Sequence, residues 1–231
     1  GLGLGDGVSG TPGTASNYSL VGGTHQMSVT QKPVTISGSR FYDSTTNVSN
    51  SDINTFNDTV GGQTLAITGS GSVSTAVAGS GKTILLGTLT LTDGTGLASN
   101  YSLSGGTFDI NSRQVNIAGS RIYDGTTSAN GSDLVVTTGV GSEILTVNGA
   151  GSISSANVGN NKAVTTGTLA LSSGSGNASN YQLGTITLSV TERPVNIDLQ
   201  KIYDATITAA GSDLKTNGIT NTVLAHSLTL N

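Results

Sequence analysis

The sequence predicts an all-β chain of tandem units, each a small immunoglobulin-like β-sandwich of about 80 residues with almost no helix. Three observations lead there. The stretch IAGSRIYDGTT at 117–127 is preceded by ISGSRFYDSTT at 36–46 and followed by IDLQKIYDATI at 197–207, so Tyr42-Asp43, Tyr123-Asp124 and Tyr203-Asp204 stand 81 and 80 residues apart. A period of that length is a domain, whereas a β-helix repeats every few tens of residues at most. Apolar residues alternate over short runs between Gly, Ser and Asn turns, as half-buried strands do. No window of eleven or more residues holds a helical i, i+3, i+4, i+7 pattern, and glycine, 34 of 231 residues, interrupts every candidate.

A second marker runs in phase: SNYSL at 16–20, SNYSL at 99–103 and SNYQL at 179–183. All six tyrosines (18, 101 and 181; 42, 123 and 203) belong to one marker or the other, so tyrosine is a property of the repeat.

Taken in order, residues 9–14 read as a turn, and the run through Met27 and Val29 reads as a half-buried strand. Lys32-Pro33, Arg113-Gln114 and Arg193-Pro194 recur at one place in the repeat, and proline suits a point where one sheet ends. Boundaries placed there give the tail of a preceding repeat (1–33), two complete repeats (34–113 and 114–193) and the head of a following one (194–231), a window on a longer array. In the second repeat Val115 and Ile117 alternate, Asp124-Gly125 signals a turn, and strands follow at 134–136 and at 144–147. Residues 149–152 read as a turn, Ile153 as a short strand, 164–171 as the longest strand with its counterpart at 84–91, and Ile186, Leu188 and Val190 as the closing strand.

The composition narrows the function classes. Nine Lys and Arg stand singly in a chain of net charge −4, with no basic stripe for a phosphate backbone, so nucleic acid is not an expected partner. No apolar run approaches the roughly 20 residues of a membrane-spanning helix. Cysteine is absent, which removes disulfides and thiolate chemistry and suits export through an oxidising compartment.

The GSRxYDGTT opening, the mid-unit VGNNK at 158–162 and the closing ASNY at 178–181 resemble the YDG repeat, a relative of the mostly-β, glycine-rich (MBG) repeats. The resemblance covers both complete units and runs into both flanking segments. Ser44 and Ala205 replace the motif glycine, and the last copy lacks the Gly-Ser before Lys201. Such repeats occur in large bacterial surface proteins of the filamentous-haemagglutinin kind, exported through an outer-membrane partner by two-partner secretion. The resemblance thus implies a cell-surface adhesin in which these units are a stalk, with neighbouring repeats as partners and an adhesive region elsewhere that meets extracellular polysaccharide or a host or bacterial surface during adhesion or biofilm formation. The alternative is a repeated weak carbohydrate- or protein-binding module acting by avidity.

No catalytic or cofactor-binding constellation is expected. Residues 79–83 (GSGKT) end like a phosphate-binding loop, but Ala76 stands where that loop needs glycine, strand follows where it needs helix, and the second unit lacks the motif around Lys162. Aspartates recur nine apart (Asp43/Asp52, Asp124/Asp133, Asp204/Asp213). They read as turn residues accepting backbone N–H bonds, with Asp124 and Asp133 as weak Ca²⁺ candidates that lack the other oxygens a site needs. His25 and His226 sit at non-equivalent positions, on the surface. Asn-x-Ser/Thr sequons at Asn17, Asn47, Asn57, Asn100, Asn130 and Asn177 leave glycosylation open. The tyrosines read as packing residues of their own units, with stacking of sugars on exposed rings as the other role. On that reading, loss of Tyr123 or Tyr181 damages the second unit and leaves the first untouched.

Overall fold

The computed structural model describes residues 2–8, 13–223 and 226–230 and is all-β, with no helix beyond three-residue 3-10 turns among them. The expected fold class is met. The turn expected at 9–14 lies largely outside the described residues.

Eight strands form between Lys32 and Asn111: β1 (Lys32–Phe41), β2 (Asn47–Ser49), β3 (Ile53–Asn57), β4 (Leu65–Thr68), β5 (Ser70–Ser72), β6 (Gly79–Thr83), β7 (Thr90–Asp93) and β8 (Tyr101–Asn111). They recur in the second unit as β9 (Arg113–Ile122), β10 (Ser128–Asn130), β11 (Leu134–Thr137), β12 (Leu145–Asn148), β13 (Ala150–Ile153), β14 (Gly159–Thr165), β15 (Ala170–Ser173) and β16 (Tyr181–Thr191). Strands β17 (Asn196–Leu199) and β18 (Leu214–Thr220) pair with each other further on. A single residue, Ser112, separates β8 from β9.

The main sheet of the first unit has the order β3-β1-β8-β6, and that of the second β10-β13-β14-β16-β9-β11, with β2-β5, β4-β7 and β12-β15 as separate pairs. Within each main sheet the first and last strands of the unit, β1 with β8 and β9 with β16, pair parallel. All other pairs are antiparallel, so the sheet is mixed where an immunoglobulin sandwich has two antiparallel sheets. Alternation places Val34 and Ile36 of β1, Phe108 and Ile110 of β8, and Ile117, Leu188 and Val190 of the second unit in the core, each at most 2 % exposed. Pro33 suits its place: β3 pairs with β1 only from Thr35 onward, so the N–H that proline lacks is not needed there.

Four local expectations change. The long strands expected at 84–91 and 164–171 are broken by Gly87 (φ +54°) and Gly167 (φ +55°), where the chain turns against the carbonyls of Ser70 and Ala150. Period-2 alternation continues through such a turn, which is why it misleads. The turn expected at 149–152 is compressed to Gly149 (φ +89°), and β13 starts at Ala150. The closing strand expected at Ile186, Leu188 and Val190 starts earlier, at Tyr181, and runs to Thr191 as one strand with a bulge between Leu183 and Ile186. The run through Met27 and Val29 is not a strand; both side chains are more than 80 % exposed, and no neighbouring strand among the described residues completes its ladder.

Candidate functional site

The repeated motif builds a corner at the end of the unit's first strand. The Asp43 carboxylate accepts hydrogen bonds from the Thr45 backbone N–H and hydroxyl, both at 2.9 Å, a turn that an Asp-x-Thr sequence closes by itself. Asp124 with Thr126 and Asp204 with Thr206 repeat it. The residue between is left-handed in all three copies: Ser44 at φ 67°, Gly125 at 77° and Ala205 at 61°. The conformation is therefore retained where glycine is not.

The motif arginine closes the corner. Arg40 reaches Asp43 at 3.2 Å and Asp52 at 3.8 Å, donates to the Thr45 carbonyl and lies over the Phe108 ring at 5.4 Å. The nine-residue spacing of the aspartates thus brings both carboxylates to one guanidinium. Arg121 likewise pairs with Asp124 and donates to Thr126, and Lys201 pairs with Asp204 at 3.0 Å. Burial alone would raise the Asp124 pKa, but the Thr126 N–H and hydroxyl, together with Arg121, hold it below the ordinary carboxylate value. Asp52 and Asp133 accept the backbone N–H of Ser49 and Asn130, capping three-residue 3-10 turns. Beside those turns, a Cβ on Gly38 or Gly119 would lie about 2 Å from the carbonyl oxygen of Asp52 or Asp133, hence the motif's first glycine.

The corner positions a tyrosine for the next unit. Tyr42 donates its hydroxyl to Glu143 Oε1 at 2.6 Å, Tyr181 donates to Glu143 Oε2 at 2.6 Å, and the two rings meet edge to face at 5.3 Å. Glu143 and Tyr181 belong to the second unit, so the two markers meet across the boundary. Asn180 completes the joint by accepting the Ala78 backbone N–H at 2.9 Å. One apolar cluster runs through Ile36, Phe108 and Ile110 of the first unit and Val115, Val140, Leu145 and Tyr181 of the second. The expectation of two separate cores is therefore corrected: Tyr181 packs against its neighbour as well as its own unit. Burial, and then the hydrogen bond to Glu143, raise the pKa values of both Tyr42 and Tyr181.

The other marker residues follow the same logic. Tyr101 donates to Gln63, which stands where the second unit has Glu143, and accepts from the Val60 N–H. Asn100 is exposed while its counterpart Asn180 is 3 % exposed, a difference made by the neighbour across the joint. Tyr123 is half-buried, its ring 6.2 Å from His226 and its carbonyl reached by Arg193. Tyr18 and Tyr203 are 68 % and 90 % exposed. Lys82 lies in β6, donating to Thr75 Oγ1, and no helix follows it. His25 and His226 are exposed. Glu143 escaped the sequence reading, although it is one of only two glutamates in the chain.

The fold and its corners define an all-β protein of tandem units joined through their own repeat markers. A family model described as the YDG domain matches residues 24–108 and 110–188, well over half of the chain, and the chain belongs to that family. Comparison with curated proteins and with solved structures gives no match.

Proposed function

We propose that this chain is a non-enzymatic spacer, a stalk segment of a secreted bacterial cell-surface adhesin that projects an adhesive region in adhesion or biofilm formation. The observation that carries the reading is the Tyr42–Glu143–Tyr181 joint. A spacer must fix the angle between units, and a buried, hydrogen-bonded joint with a one-residue connection does so, whereas beads on a flexible linker do not. The adhesin setting, export through an outer-membrane partner and surface location rest on the family resemblance.

The parallel pairing of first and last strands sends the chain in at one end of a unit and out at the other. Each repeat then advances the chain by roughly 35–40 Å at about 3.3 Å per strand residue. Spin labels at the equivalent exposed positions Thr55 and Val135 test this. The expected result is a narrow distance distribution near that advance. A broad distribution, or saturable binding of a glycan to the two complete units at micromolar concentration, would replace the spacer with a binding module.

A further inference from the structure

The strands that receive and pass on tension are the parallel pairs. In the first unit Lys32 lies opposite Tyr101 and Phe41 opposite Asn111. Tension along the chain enters at the start of β1 and leaves at the end of β8, which are opposite ends of one ladder. It pulls the two strands past each other, and the ladder hydrogen bonds, which bridge the strands, are loaded together. Had the terminal strands been antiparallel neighbours, entry and exit would lie at the same end and the bonds would open one after another.

We infer that β1 with β8, and β9 with β16, are shear clamps that make each unit a force-bearing element stretched along its chain. This takes the direction of load from the spacer reading, while the resistance itself is a property of the unit. Three features add to it. Both clamp strands are interior, with β3 and β6 on their outer sides in the first unit and β11 and β14 in the second. The ladder extends past the strand ends: the Tyr42 N–H donates to the Asn111 carbonyl and the Tyr123 N–H to the Thr191 carbonyl, both at 2.9 Å. The clamp strands also carry buried side chains, Ile36, Phe108 and Ile110 in one unit and Ile117, Leu188 and Val190 in the other. Slippage by one residue would turn those side chains away from the core, so sliding is opposed by burial as well as by the ladder. Force leaving β8 passes through Ser112 directly into β9, bypassing the other strands.

The chain has no cysteine, so an introduced pair gives unique handles for single-molecule pulling. In the full chain, Lys32→Cys with Asn111→Cys loads the first clamp along its length, and Lys32→Cys with Ser102→Cys loads the same two strands from one end. Equal melting temperatures of the two variants establish that only the direction of pull differs. The expected result is an unfolding force several-fold higher in the first geometry. Equal forces, or a lower force in the first, would overturn the clamp. A broad Thr55–Val135 distance distribution together with direction-dependent forces would remove the spacer and keep the clamp; a narrow one with equal forces would do the reverse.

Discussion

Ser44, Gly125 and Ala205 occupy one position of the repeat and share a left-handed backbone that only glycine adopts without strain. A side chain there costs about 1–2 kcal/mol, less the unfolded-state entropy that glycine adds. Ser44→Gly is expected to stabilise the first unit by about 0.5–1 kcal/mol, and Gly125→Ala to destabilise the second by at least as much; denaturant melts of the two variants check the signs. Arg40 holds two carboxylates with its side chain 11 % exposed, but Asp43 is 42 % exposed, so solvent screens part of the interaction. Arg40→Met should cost about 2–3 kcal/mol, below the full cost of breaking a buried pair. At the second corner the Asp124 pKa is lowered on folding. The stability it contributes is complete above the unfolded value of 3.8 and is lost as pH falls through the lower folded value. The difference in melting temperature between the natural chain and Asp124→Asn should therefore shrink as the solution is acidified below about pH 4.

At the scale of the element, the joint is made by strand ends and loops that meet only because β1 and β8 run side by side and deliver the Tyr42 corner to the next unit. Tyr42→Phe and Tyr181→Phe each remove one hydrogen bond to a carboxylate, at a cost of about 1.5–3 kcal/mol. Because both hydroxyls share Glu143, the two costs are not expected to add, and a double-mutant cycle measures the coupling. Both tyrosine pKa values are raised above 10.0 on folding, first by burial and then by Glu143. The corresponding stability is complete below the unfolded value and is lost as pH rises through the folded ones, where a phenolate would face the carboxylate. Melting temperature should fall on alkaline titration above about pH 10, and the fall should be weaker in the Tyr42→Phe/Tyr181→Phe protein.

For the whole molecule, a cluster continuous across the joint predicts that the two complete units unfold cooperatively. Calorimetry of the full chain should show residues 32–191 melting in a single transition. Glu143→Ala should split it in two by removing the shared acceptor while leaving each main sheet intact. Tyr181→Ala, which truncates a buried aromatic at a cost of about 3–5 kcal/mol, should lower the stability of the first unit as well as the second. Two transitions in the natural chain would show that the joint passes no energy between units.

The sequence by itself determined the all-β class, the repeat, and the corner that Asp and Thr close locally, because alternation, turn chemistry and an Asp-x-Thr hydrogen bond act within a few residues. It also marked the two tyrosines of each unit, since both recur in register. Only the tertiary structure decided where those tyrosines go. Tyr42 finds Glu143 a hundred and one residues later, and no local pattern encodes a partner at that separation. The direction of β1 against β8 was hidden for the same reason: a period of two fixes which face of a strand is buried, but pairing and polarity are set when the whole sheet assembles. The breaks at Gly87 and Gly167 lie between these cases, for the glycines were visible, while the carbonyls of Ser70 and Ala150 that crowd them and accept the N–H of Thr88 and Thr168 arrive from another strand.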